Sequence, residues 1–121
     1  MDYVAPIDSE LQQQVIARTL DFIQLGEDLF RCRLPVLPVN FDLKGRSSGM
    51  YRVRGRDRLI RYNPWIFARH FDECLESTVP HEVAHYVTDR LWGLANIRPH
   101  GAEWKSVMAA FGVEATVTGS M

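Results

Sequence analysis

The chain has little that would carry it into a membrane or an oxidising compartment. No apolar run in its 121 residues approaches the roughly 20 that a bilayer-spanning helix needs. The start, Met1-Asp2-Tyr3-Val4, has neither the basic residues nor the apolar stretch of a secretory leader. A soluble, cytoplasmic protein with no membrane partner is therefore expected. Cysteine is scarce: Cys32 and Cys74 stand far apart and form no C-x-x-C pair. A disulfide between them is open to the sequence but not expected in a reducing compartment, and both read as ordinary thiols. Repeats and low-complexity stretches are absent. The formal net charge of −1 gives the whole chain no strong preference for an acidic or basic partner.

What remains is enough for one globular unit. With 46% hydrophobic residues the chain can bury a real core, and its length suits a single domain over residues 1–121, expected to act as a monomer. The near-zero net charge hides a segregation. Residues 1–30 hold six acids and one arginine, whereas residues 31–70 hold ten basic residues against Asp42 and Asp57. Seven of the fourteen basic residues (Lys44, Arg46, Arg52, Arg54, Arg56, Arg58 and Arg61) fall in one short stretch. They are either a solvated hairpin or a surface for nucleic-acid phosphates. Tyr51, Tyr62 and Trp65 nearby either pack or stack on unpaired bases.

Hydrophobic spacing predicts a helix over 8–30, with apolar residues at Leu11, Val15, Ile16, Leu20, Ile23, Leu25 and Leu29 and a cap at Asp8 or Ser9. Pro35 and Pro38 forbid a helix beyond it, and 36–43 reads as a strand at a sheet edge. Residues 50–54 alternate, Gly55-Arg56-Asp57 turns, and 58–62 returns as a strand. A short helix over 64–70, a long one over 72–92 and a closing one over 100–111 follow, with Gly112 as the terminator. The expected class is α+β: an N-terminal helix, a small three-stranded and mostly antiparallel sheet, then a zincin-like helix and its successor. The outer strand of that sheet is a place where an extended peptide could add.

Chemistry concentrates in the long helix. Residues 81–85 read His-Glu-Val-Ala-His. On a helix each residue advances about 100°, so positions i and i+4 point almost the same way, one turn apart. Two imidazoles at that spacing can grip one zinc ion, and Glu82 stands beside them as a base for a water. Two histidines on a helix can arise by chance, but these lie within an apolar segment, and Pro80 before them is tolerated in a first turn or at a kink.

A catalytic zinc usually has three protein ligands and one open position. The arrangement H-E-x-x-H-x-x-G-x-x-H is excluded, because Thr88 and Leu91 stand where it needs Gly and His. Glu103, Glu114 and His100 remain as candidates for the third ligand. Gly93 and Pro99 let the chain turn back, and Gly101 would allow a close backbone approach.

Thr78-Val79-Pro80-His81-Glu82-Val83-Ala84-His85-Tyr86 followed by Pro99-His100-Gly101-Ala102-Glu103-Trp104-Lys105 resembles the SprT family of metallopeptidases, whose animal relative is the Spartan protease. The resemblance runs over about 42–115, with Lys44-Gly45-Arg46-Ser47-Ser48-Gly49 and Tyr62-Asn63-Pro64 as further landmarks. It implies one zinc per chain held by His81, His85 and His100, with Glu82 as catalytic base and proteins or peptides as substrates. It also implies action on proteins crosslinked to DNA. Many SprT-like proteins continue into a zinc ribbon with paired cysteines, and this chain has no cysteine after Cys74.

Around these four residues, Trp104 is expected to support the ligands from behind, and Glu103 either orients an imidazole or is simply exposed. Tyr86 is expected in the core and His70 at the surface. The rival reading is a nucleic-acid-binding zinc module without proteolysis. Glu82 argues against it, since a structural site needs no base and usually has four protein ligands.

Overall fold

The computed structural model describes residues 4–116; the first three residues of the chain, part of the start read above, and its last five lie outside that range. The first helix, α1 (Ser9–Phe30), begins where expected. Asp8 is extended and its carboxylate accepts from the Leu11 N–H at 3.0 Å. The buried stripe differs from the apolar list. It consists of Val15, Thr19, Ile23 and Gly26, while Leu20, Leu25 and Leu29 face solvent. The reason is close packing against a later helix: a Cβ on Gly26 would stand 3.1 Å from Val87. Thr19 is buried at no cost in hydrogen bonds. Its hydroxyl donates to the Val15 carbonyl and meets the Tyr62 hydroxyl, each at 2.8 Å.

Three strands follow: β1 (Val39–Asn40), β2 (Gly49–Arg54) and β3 (Asp57–Tyr62), in the spatial order β1-β3-β2. The β2–β3 hairpin is antiparallel, with Gly49 opposite Tyr62 and Arg54 opposite Asp57. The edge strand expected over 36–43 shrinks to two residues, and it runs parallel to β3. Pro38 has no N–H to give, so the ladder there begins with its carbonyl, which accepts from Ile60 at 3.0 Å.

Asn63 then joins loop to helix. Its side-chain oxygen caps α2 (Pro64–Arg69) by accepting from Trp65 and Ile66, while its amide nitrogen donates to the carbonyls of Gly45 and Ser47. This is the physical content of two landmarks read in the sequence, because one side chain pins the 45–47 loop to the start of α2.

The single helix expected over 72–92 is two. α3 (Phe71–Glu76) and α4 (Thr78–Trp92) meet at Ser77, whose backbone is not helical (φ −120°, ψ −58°). Pro80 explains the break. It has no N–H for the carbonyl of Glu76 and its ring would collide there, whereas in the first turn of a new helix it is tolerated. After Gly93 and a short 3-10 turn at Leu94–Asn96, α5 (Ala102–Ala110) closes the fold. It starts later than the 100–111 expected, so His100 lies in the turn before it.

α4 is the hub. Every residue from Thr78 to Asp89 is buried, and α1, α3, α5 and β2 all pack against it. Its polar side chains are therefore met by neighbours. Asp89 accepts from the Tyr51 hydroxyl at 2.6 Å and from Arg58 Nε at 2.7 Å. Burial and the bond to Asp89 push the Tyr51 hydroxyl well above its ordinary pKa, so it remains a donor.

Candidate metal centre

Two helical turns and one loop bring the site together. His81 and His85 are one turn apart on α4 and share a face, as their spacing requires. His100 arrives from the turn that precedes α5. Its Nε2 lies 3.1 Å from Nε2 of His81 and 3.2 Å from Nε2 of His85. Two ligands bound tetrahedrally at about 2.0–2.1 Å stand about 3.3–3.4 Å apart, so three nitrogens at these separations fit one small cation. Among the described residues, His81, His85 and His100 are the one cluster of this kind; Glu103 and Glu114 lie outside it. Burial lowers the pKa of His100, which favours the neutral ring whose lone pair a metal requires.

The rings are held by packing. Trp104, fully buried on α5, lies 4.7 Å from the His81 ring, 5.8 Å from His85 and 4.9 Å from His100. Its Nε1–H donates to the His81 carbonyl at 3.2 Å. It lies against all three rings, reaching His100 across a turn and not along a shared helix. Gly101 serves that turn by lying against Arg98: a Cβ there would stand 3.2 Å from the Arg98 carbonyl oxygen. Glu103 is half-buried in the first turn of α5. Tyr86 is in the core, its hydroxyl donating to the Pro35 carbonyl. His70 is at the surface beside Glu73.

Glu82 is fully buried, and one of its carboxylate oxygens is 4.0 Å from Nε2 of His81. Strand β2 passes directly over it. A Cβ on Gly49 would meet the same Glu82 oxygen at 3.0 Å and the Thr78 methyl at 2.8 Å. Gly49 is thus a residue of this site that the motif does not announce. The only hint is a glycine at the start of a strand, which can mark close approach of another element.

The basic residues do not form one surface. In β3, Arg58 shares the face of Ile60 and Tyr62 and so faces α4, where it pairs with Asp89. The expectation that it projects into solvent is corrected: its side chain is 28% exposed and structural. Arg61 points to the opposite side and pairs with Asp42 at 2.8 Å. Lys44 lies 5.7 Å over the Trp65 ring. Arg46 borders a cleft with His70 and Glu73. Arg52 is half-exposed, and Arg54 and Arg56 are exposed.

Comparison with known proteins agrees with the motif. A model described as the SprT-like family matches residues 19–119. Protein SprT of Vibrio parahaemolyticus is 34% identical over 113 residues, covering 93% of this chain and 66% of that protein. Protein SprT of Pseudomonas paraeruginosa is 35% identical over 98 residues, covering 81% of this chain and 58% of the relative. Protein SprT of Pseudomonas aeruginosa is 34% identical over the same length, with the same coverage. The chain thus spans between 58% and 66% of the length of these relatives. No solved structure matches.

The contact at Gly49 can be tested by adding one methyl group. Gly49→Ala places a carbon where Thr78 and Glu82 already stand, so one of them must shift. Overpacking of this kind typically costs about 1–3 kcal/mol. A melting temperature equal to that of the unaltered protein would show that β2 and α4 have room to spare.

Proposed function

The chain belongs to the SprT-like family, and on that premise we propose that it is a zinc-dependent metallopeptidase domain. The observation that carries this reading is the convergence of three imidazole nitrogens beside a buried glutamate. Three neutral nitrogen donors are a donor set that suits zinc, and they leave a fourth position for a water or a substrate oxygen. When bound, zinc supplies Lewis acidity, polarising a carbonyl and lowering the pKa of a coordinated water toward about 7.

The chain's own residues do the rest. His81, His85 and His100 hold the ion, and Trp104 keeps their rings in place. Glu82 accepts a proton from the attacking water through its carboxylate, then gives it to the amine nitrogen as the peptide bond breaks. Its burial beside His81 keeps it within reach of both. The substrate is a protein or peptide. Strand β2 is at the end of the strand order and runs over Glu82 at Gly49. An extended chain added along β2 would therefore be brought to the base, with main-chain hydrogen bonds giving affinity.

Glu82→Gln keeps the size of the side chain and all three histidines but removes the base. The variant is expected to bind zinc and fold normally while losing peptidase activity by at least about a hundredfold. Equal activity in the two proteins would favour the non-proteolytic zinc module, or reveal a contaminating protease.

We extend the proposal to proteins on DNA. Arg52, Arg54 and Arg56 line a cleft of about 680 Å³ together with Arg58, Arg90 and the 35–38 segment. Phosphate contacts there would be steeply salt-dependent and nearly indifferent to sequence. Replacing Arg52, Arg54 and Arg56 with Ser is expected to flatten the log–log salt dependence of DNA binding by up to about three. Arg58 is left intact because it holds Asp89. Unchanged DNA affinity at low salt would reduce this face to ordinary solvated arginines and leave the peptidase reading standing.

A further inference from the structure

His81 presents both of its ring nitrogens to partners. Nε2 faces the site, 3.1 Å from Nε2 of His100. Nδ1 lies 3.2 Å from the main-chain carbonyl oxygen of Thr116. A carbonyl can only accept, so the proton of a neutral His81 ring must sit on Nδ1, which leaves the Nε2 lone pair directed at the metal position.

The segment that brings this carbonyl turns on itself, the Thr116 N–H donating to the Glu114 carbonyl at 3.0 Å. Gly112, in the left-handed region at φ 74°, turns the chain at the end of α5. The Val113 N–H donates back to the Met108 carbonyl at 3.0 Å, and the Val113 side chain packs against the core. From there Glu114, Ala115 and Thr116 are exposed, so packing does not explain their course past α4. The carbonyl of Thr116 meets Nδ1 of a ring whose Nε2 belongs to the three-histidine cluster.

We propose that the segment 113–116 is a working part of the metal centre, in which Thr116 is a positioning residue: its main-chain carbonyl fixes the tautomer and ring orientation of His81. This rests on the reading of His81 as a metal ligand. Partners of this kind behind a ligating histidine orient the ring and raise its basicity, and losing one typically costs 10–100-fold in metal affinity. The contact links residues 35 apart in sequence. It makes the C-terminal segment a strap whose release would weaken the metal site while leaving the core intact.

The test compares zinc affinity, read by competition with a chelating dye, in the full chain, a chain ending at Val117 and a chain ending at Glu114. Val113 and its bonds remain in all three. The chain ending at Val117 keeps the Thr116 carbonyl as an uncharged amide and should bind zinc like the full chain. The chain ending at Glu114 should bind about 10–100-fold more weakly, with the metal-free melting temperature little changed.

A second readout needs no metal and no truncation. In the metal-free full chain, nitrogen NMR should find the His81 proton on Nδ1. Equal zinc affinity in all three chains, or a proton on Nε2 of His81 in the full chain, would overturn the proposal. If the shortest chain does not fold, the tautomer in the full chain decides. His81→Ala separates the two layers: undiminished zinc binding by that variant would overturn the ligand assignment itself, independently of where the His81 proton resides.

Discussion

A helix buried on every side can carry two histidines, a glutamate and an aspartate only if its neighbours are arranged around them. That constraint governs α4 and, through it, most of the fold. The hairpin meets Asp89 with Tyr51 and Arg58. The loop before β2 meets Thr78 with Ser48 at 2.8 Å. α5 supplies Trp104 behind the histidine rings, and the turn before it supplies His100. An unmet polar group at this depth costs about 1–3 kcal/mol, so each of these contacts also fixes where its element must lie. The site is therefore built by the same interactions that hold the sheet and α5 onto the hub helix.

The direction of Glu82 follows from this packing. Strand β2 lies close enough over α4 that glycine is required at position 49. The carboxylate and the strand edge are thus neighbours by construction. The buried Glu82 carboxylate lies between an edge strand and the three-histidine cluster. At the other end of the hairpin, Tyr51 of β2 and Arg58 of β3 both meet Asp89 of α4.

Much of this could be read from the residues. The spacing of His81 and His85 declared a shared face, the alternation over 50–54 and 58–62 declared a hairpin, and Asp8 declared the start of α1. What escaped had physical reasons. The buried stripe on α1 departs from the apolar spacing because Gly26 and Thr19 are buried for closeness and for a hydroxyl partner, neither of which hydrophobic spacing detects. The division of 72–92 at Ser77 follows from Pro80, whose missing N–H matters to the residue four positions earlier. Arg58 reads as a surface cation in a run of arginines, although the alternation of β3 puts it on the side of Ile60 and Tyr62. Its partner Asp89 is 31 residues away. The reach of Thr116 to His81 leaves no local trace at all. Short-range patterns give elements and faces; contacts between distant segments decide which polar residues are structural.

The central claim is that His81, His85 and His100 together hold one zinc ion. Anomalous diffraction at the zinc edge, from crystals grown with one equivalent of zinc, tests it most directly. The account predicts a single strong peak at about 2.0–2.1 Å from Nε2 of all three histidines. A peak bound by His81 and His85 with Glu103 or Glu114, or a peak away from His100, would contradict it.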